Sequence, residues 1–233
     1  PFPGRLLQGT LIRRYKRFLV DVRLRNNHLV TAHTPNTGSM AGCSDPGSRV
    51  FISRSSNPKR KLPYTLELVE VNGGLVGINT LVPNRLFRLA AEANAMEPLG
   101  QYDTVQPEVK VSQRSRIDLK LAAQGRRDCY IEIKNVTLVH PGDGMACFPD
   151  AVTSRGARHL EELSSLVDAG HRAVILYAVQ RGDAMAVGPA DDIDPFYGQT
   201  LRRVAGHGVE TLAYRFVPSE DGIALGEQLP VVL

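Results

Sequence analysis

Apolar and polar residues alternate in short runs over the first 83 positions. The segments RLLQGTLIRRY, RFLVDVRLR, HLVTAHT, RVFISRS and TLELVEV are rich in Val, Leu, Ile and Thr. Turn chemistry bounds them, as at Asn26-Asn27 and Asn72-Gly73-Gly74, so the pattern predicts five β-strands. Two longer connections, Pro35–Gly47 and Ser55–Pro63, lie between them. Five short strands with long loops suit a small closed barrel of the OB type, a fold that offers its strand face and loops to oligonucleotides. Fold alone does not assign function, so that link is analogy.

Beyond Pro83 the pattern changes. Asn84 is placed to cap a helix over RLFRLAAEANAM, with Leu86, Leu89 and Ala93 sharing a face. Gly100–Pro107 reads as a loop. EVKVS, RIDLKLA and DCYIEIKNV read as strands, and SRGARHLEELSSLVDAG as a helix stopped at Gly170. RAVILYAVQ is nearly all apolar, as expected at the centre of a covered sheet. DPFYGQTLRRVAGHG follows as a helix and VETLAYRFV as a further strand. This order predicts a mixed sheet flanked by helices. The expected architecture is α+β in two domains: an OB-like nucleic-acid-binding barrel over 1–83, then an α/β domain with a mixed central sheet over 84–233.

Charge divides the chain near the same point. Its 233 residues carry 28 Lys and Arg against 24 Asp and Glu, a net +4. Residues 1–88 hold 14 basic and 4 acidic side chains, and the remainder holds 14 and 20. An excess of ten positive charges on the first part points to a polyanion, here nucleic acid, single- or double-stranded. No apolar run has membrane length, and PFPGRLLQGTLIRRYKRFLV has no signal-peptide core. Cys43, Cys129 and Cys147 are far apart, with neither zinc spacing nor a disulfide framework. They are expected to be buried thiols of a cytoplasmic protein. No P-loop is present, and Gly38-Ser39-Met40-Ala41-Gly42 is not a G-x-S-x-G elbow. His28, His33, His140, His171 and His207 show no metal spacing.

The segment RIDLKLAAQGRRDCYIEIKNV carries the candidate chemistry. A hairpin symmetric about Gly125 sets Leu119 opposite Ile131, Ile117 opposite Ile133, and Asp118 opposite Glu132. Two carboxylates facing across a ladder repel. A shared proton, the neighbouring Lys134 or a divalent cation offsets that cost, and Mg²⁺ is typically held by one or two carboxylates. A lysine beside metal-bound water can move its proton or stabilise charge on a phosphoryl group. The expected catalytic residues are therefore Asp118, Glu132 and Lys134, for metal-assisted phosphodiester hydrolysis. On the following helix Arg155, His159 and Glu162 share one side, opposite a core face of Ala157, Leu160, Leu163 and Val167. An Arg/His stripe beside the carboxylates could grip the scissile phosphate.

SRIDLKL, DCYIEIKNVTL and FPDAVTSRGARHLEEL, with HTPNTGSMAGC, INTLVPNRL and the terminal LPVVL, resemble the sugar fermentation stimulation protein (SfsA) family of bacteria and archaea. The resemblance runs over essentially the whole chain. It implies an N-terminal OB-fold domain and a C-terminal domain similar to PD-(D/E)xK, restriction-endonuclease-like nucleases. It also implies non-specific DNA binding and a proposed regulatory role in sugar metabolism. In the nuclease pattern the carried-over residues are Asp118, Glu132 and Lys134, with Glu108 a further acidic candidate. Ile117 stands where that pattern has a proline before the aspartate.

The expected cofactor is Mg²⁺ or Mn²⁺, held by Asp118, Glu132 and the main-chain carbonyl of Ile133, with Glu108 as the added ligand. The expected DNA contacts are Arg13, Arg14, Lys16, Arg17, Asn36, Thr37, Lys59, Arg60, Lys61, Arg155 and His159. Two functions from different classes follow: a metal-dependent DNA endonuclease, and a catalytically silent DNA-binding or regulatory factor in sugar (maltose) metabolism.

Overall fold

A computed structural model describes residues 1–112, 115–140, 142 and 144–233. The chain opens with β1 (Leu7–Tyr15), β2 (Leu19–Leu24), β3 (Leu29–His33), β4 (Arg49–Arg54), β5 (Tyr64–Val71) and β6 (Gly74–Gly77). β1 pairs antiparallel with both β2 and β4, β2 with β3, and β4 with β5. A short parallel contact, Ala32 to Tyr64 and His33 to Thr65, closes the ring. This is the expected five-stranded OB-like barrel. β6 is an addition that the sequence pattern does not predict. Asn72 (φ 52°) and Gly73 (φ 77°) both adopt positive φ, so the chain folds back in a tight hairpin.

Alternation along the strands sorts the barrel's side chains. Leu11, Val20, Val22, Val50, Ile52 and Leu66 fill its interior with Met40 and Cys43 from the long loop. Phe51 and Leu68 belong instead to a core shared with the second domain, against Phe87 and Ala91 of α1 (Leu81–Glu92). This helix begins earlier than expected. The Asn79 side chain accepts from the Leu81 N–H at 3.1 Å, and Pro83 sits in the first turn, where a missing N–H costs nothing. Asn84 is therefore inside the helix and is not its cap.

The second domain is built on a six-stranded mixed sheet. Its members are β7 (Thr104–Lys110), β8 (Arg116–Ala122), β9 (Cys129–Val136), β12 (Arg172–Val179), β14 (Glu210–Pro218) and β15 (Ile223–Gln228), in the order β15-β14-β12-β9-β8-β7. β9, β12 and β14 run parallel, and the outer strands are antiparallel. β7 overturns the expected loop at 100–107. It is an edge strand, which tolerates Pro107 because one side of the backbone needs no partner. β10 (Leu138–Val139), β11 (Met145–Phe148) and β13 (Ala186–Pro189) form a small second sheet, too short to announce itself by period.

α2 (Ser154–Asp168) and α3 (Pro195–Gly206) cover one face of the main sheet. On β12, Val174, Leu176 and Ala178 join the core shared with α1, while Ala173, Ile175, Tyr177 and Val179 join the core under α2 and α3. That two-sided burial explains the nearly all-apolar sequence of this strand. All three cysteines are buried thiols outside any disulfide. No helix among the described residues is long and apolar enough to cross a membrane.

Candidate active site

The hairpin of β8 and β9 pairs Leu121 with Cys129, Lys120 with Tyr130 and Leu119 with Ile131. This is the register expected from a turn at Gly125, itself at φ 74°. One step further, Asp118 takes the place of a ladder partner. Its Oδ2 accepts the Ile133 N–H at 2.7 Å. The main-chain ladder ends there, and Ile117 is not opposite Ile133 in a shared core but packs in the one under α2. Asp118 Oδ1 accepts from Asn84 Nδ2 of α1 at 2.9 Å.

Glu132 lies on the α2 face of β9 and is 4% exposed. Its Oε1 accepts from Lys134 Nζ at 2.6 Å and faces His159 Nδ1. Arg155 Nε donates to His159 Nε2 at 3.3 Å, which leaves Nδ1 as the protonated nitrogen turned to Glu132. Glu132 Oε2 is buried with no partner among the described residues. The two carboxyls differ in their hold on a proton. Burial, and then the charge of Glu132, push Asp118 up to about 6. Burial would also raise Glu132, but Lys134 and His159 together outweigh it and lower the group.

Two clefts reach both Asp118 and Glu132. A cleft of about 700 Å³ faces the barrel, lined by Asn36, Thr37 and Gly38 of its long loop, by Arg17, and by Lys134 and Arg155 across from them. A second cleft of about 430 Å³ lies toward the sheet edge, with Glu108, Lys110 and Arg116 in its wall. Glu108 sits between the pairs Pro107–Leu119 and Val109–Ile117, hence across from Asp118, and its φ of 54° breaks the extended path of β7. Among the described residues, no three His, Cys, Asp or Glu side chains form a ready-made metal cage. The buried, unpartnered Oε2 of Glu132 beside Asp118 nonetheless fits a hard divalent cation, which takes oxygen ligands and keeps several waters.

The expected DNA contacts are divided by the fold. Lys59 and Lys61 are exposed, and neither they nor Arg60 make an ion pair with a described residue. Lys16 and Arg17 occupy the β1–β2 turn at positive φ. Arg13 pairs with Asp21 at 2.8 Å and lies over the Tyr15 ring. Arg14 is turned onto its own domain, donating to the carbonyls of Arg17, Asn36, Gly38 and Ser39. Asn36 is buried and accepts from the Gly38 N–H, while Thr37 is exposed. His159 is 2% exposed, so α2 does not present an open Arg/His stripe; Arg155 alone of that pair reaches the clefts.

Two residues escaped the sequence pattern. Asn84 resembles a helix cap in sequence and is a ligand of Asp118 in space. Asp150 fastens the barrel loop to the second domain: its carbonyl accepts from Ser39 Oγ at 2.7 Å and its Oδ2 from the Met40 N–H at 3.0 Å. Nothing in its local sequence signals that role.

An OB-like barrel whose loop walls a carboxylate-bearing cleft of a mixed-sheet domain defines a two-domain class. Residues 12–78 match the family model described as the SfsA N-terminal OB domain. Residues 81–222 match the one described as the sugar fermentation stimulation protein RE domain. The chain belongs to the sugar fermentation stimulation protein family. It is 57% identical to the sugar fermentation stimulation protein homolog of Pelobacter propionicus over 228 residues, 98% of each chain. The homolog of Geobacter sulfurreducens is 54% identical over 230 residues, 99% of this chain and 97% of that one. The structure of Pyrococcus furiosus SfsA in complex with Ca²⁺ superposes with a TM-score of 0.88 at 24% identity, covering 99% of this chain and 97% of that one.

Proposed function

We propose that this protein binds DNA through its basic barrel and hydrolyses phosphodiester bonds within the strand, as a PD-(D/E)xK-like endonuclease, at Asp118, Glu132 and Lys134. The observation that carries the proposal is Glu132 Oε2, buried and unpartnered next to a second carboxylate with a raised proton affinity. Isolated buried acceptors are costly, so native proteins retain them for a purpose. Asp118, Glu132, the Ile133 carbonyl and Glu108 would hold Mg²⁺ or Mn²⁺. When bound, the cation would supply Lewis-acid chemistry and water activation for the hydrolysis. The Ca²⁺ complex of Pyrococcus furiosus SfsA supports a divalent site in this fold.

The chain's own residues supply the rest. Asn84 and the Ile133 N–H fix both oxygens of Asp118. His159 and Lys134 hold Oε1 of Glu132 and turn Oε2 away from themselves. Lys134, held on Glu132 in the wall of the cleft, stabilises charge developing on the phosphoryl oxygens. Arg155, in the wall of both clefts, grips the scissile phosphate. The protein acts in the cytoplasm.

A second reading is a silent DNA-binding factor that regulates sugar metabolism, as the relatives' name suggests. It is favoured by the ion pair that occupies Lys134. A cleavage assay with Mg²⁺ and Mn²⁺ on single-stranded, duplex and branched DNA separates the two. Cleavage that Asp118→Asn abolishes supports the enzyme. DNA binding and a metal-induced melting shift without any cleavage support the silent factor.

A further inference from the structure

We infer that the barrel carries a base-stacking platform for single-stranded DNA, formed by Phe18 and His33 beside the mouth of the active-site cleft. The inference rests on the DNA-binding reading and deepens it, because phosphate contacts alone do not distinguish an unpaired strand from a duplex.

Phe18 directly precedes β2 and is 43% exposed. The Leu19–His33 pair of β2 and β3, and the bond from the Thr34 N–H to the Phe18 carbonyl at 2.9 Å, bring the two rings side by side. Their centroids are 6.5 Å apart and their planes are tilted by 44°. An exposed phenyl ring loses nothing by leaving water and gains by covering a base. Burial, and then the charge of Arg60, lower the proton affinity of His33, which favours the neutral ring. The parallel pair of His33 with Thr65 puts the end of the Ser55–Pro63 loop near the platform. Lys16 and Arg17 occupy the turn directly before Phe18. None of Lys16, Arg17 and Arg60 makes an ion pair with a described residue.

Rings flanked by unpaired cations are the elements that hold a single strand, with bases on the π-faces and backbone phosphates on the charges. In a duplex the base faces are already stacked on one another, and the rings would meet only sugar and phosphate. Arg17 and Pro35, next to Phe18 and close to His33 in sequence, line the cleft that reaches Asp118 and Glu132. A strand seated on the platform therefore runs its backbone past Arg17 towards the carboxylates.

Fluorescence anisotropy of the full chain at low salt tests the platform with three probes. They are a thymidine oligonucleotide of roughly 16 nucleotides, an abasic oligonucleotide of the same length, and a duplex. The parent should bind the thymidine strand more tightly than the other two. Phe18→Ala should weaken that binding by roughly five- to a hundred-fold and leave the abasic strand unchanged. Phe18→Tyr should restore it. The ring is exposed, so equal melting temperatures are expected and confirm that the variants fold. Equal affinity of the parent for thymidine and abasic strands overturns the platform, as does an equal loss on both probes in Phe18→Ala. Failure of the parent to bind any of the three overturns the DNA-binding reading itself, a different result from the loss of base preference alone.

Discussion

Each domain buries satisfied carboxylates, Asp21 and Glu67 in the barrel and Asp194 in the second domain, and Glu132 is treated oppositely to all three. In the barrel, Asp21 is 6% exposed and accepts from Arg13, Tyr15 and Thr31. Glu67 is 4% exposed, with Ser53 Oγ on one oxygen at 2.6 Å and Asn79 Nδ2 on the other at 2.8 Å. Every oxygen there is used. In the second domain Glu132 is just as buried, yet both donors crowd one oxygen and leave the other unpartnered. Burial of a charge does not by itself mark a site, since a satisfied carboxylate is a structural one. Unspent acceptor capacity beside a second acid does. Free charge follows the opposite pattern. Among the described residues, Arg13, Arg49 and Arg88 are the only basic side chains of the first 88 positions in ion pairs. Beyond them a larger share is paired, namely Lys120, Lys134, Arg172, Arg181, Arg202, Arg203 and Arg215, while Lys110, Arg116, Arg126, Arg127, Arg155 and Arg158 make no ion pair with a described residue. On the proposed function, the barrel's unpaired cations would meet a polyanion and the unpartnered oxygen of Glu132 would meet a cation.

The sharpest test of that contrast is chemical. Lys134→Ala should lower cleavage by about 10²–10⁴-fold, the usual weight of a proton-transfer group, while the Mg²⁺-induced rise in melting temperature persists. Asp118→Asn should lose both, with binding by the barrel intact. An equal metal shift in the parent and Asp118→Asn would show that the site carboxylates and the satisfied ones do not differ in the way described.

The next effect concerns pH. The Asp118 carboxyl is raised from 3.8 to about 6 by burial and by Glu132. As pH climbs from about 4 to about 6 the unfolded chain releases this proton first, so metal-free stability falls across that window. The loss is at most about 3 kcal/mol. Denaturant melts at a series of pH values should show the decline in the parent and a flatter curve in Asp118→Asn. A parent curve that rises through the same window would mean that Asp118 is not the group under strain.

Glu67→Ala makes the reverse point in the barrel. It strands Ser53 and Asn79, which should cost about 1–3 kcal/mol of stability in a urea melt. The metal shift should not change. Loss of the metal shift would assign Glu67 to a site.

Replacing Lys59, Arg60 and Lys61 together by Ala should have the smallest effect on stability, within about 0.5 kcal/mol, because these side chains touch no acid. The salt dependence of DNA binding should nevertheless flatten, by roughly 0.7–0.9 in slope for each phosphate that is no longer neutralised. An unchanged slope would make the loop a plain surface turn.

Local pattern was enough for much of this molecule. Alternating Val, Leu and Ile marked the five barrel strands, and the apolar run at 172–180 marked the central strand. The turn at Gly125 set the hairpin register as far as Leu119 opposite Ile131, one step short of Asp118 and Glu132. Period-two side chains and a hairpin's symmetry are properties of neighbours in sequence, so they survive without a structure. Where elements were short or at an edge, as in β6, β7, β10, β11 and β13, the pattern was too brief to read. The site's electrostatics came from partners far along the chain: Asn84 on Asp118, His159 on Glu132, and Asp150 holding the loop at Ser39 and Met40. Helical spacing put His159 with Arg155, but only packing of α2 against β9 decided that one is buried against Glu132 and the other opens to the clefts. Hydrogen bonds reach about 3 Å, and whether two residues 34 positions apart come that close is decided by how α1 packs on the sheet.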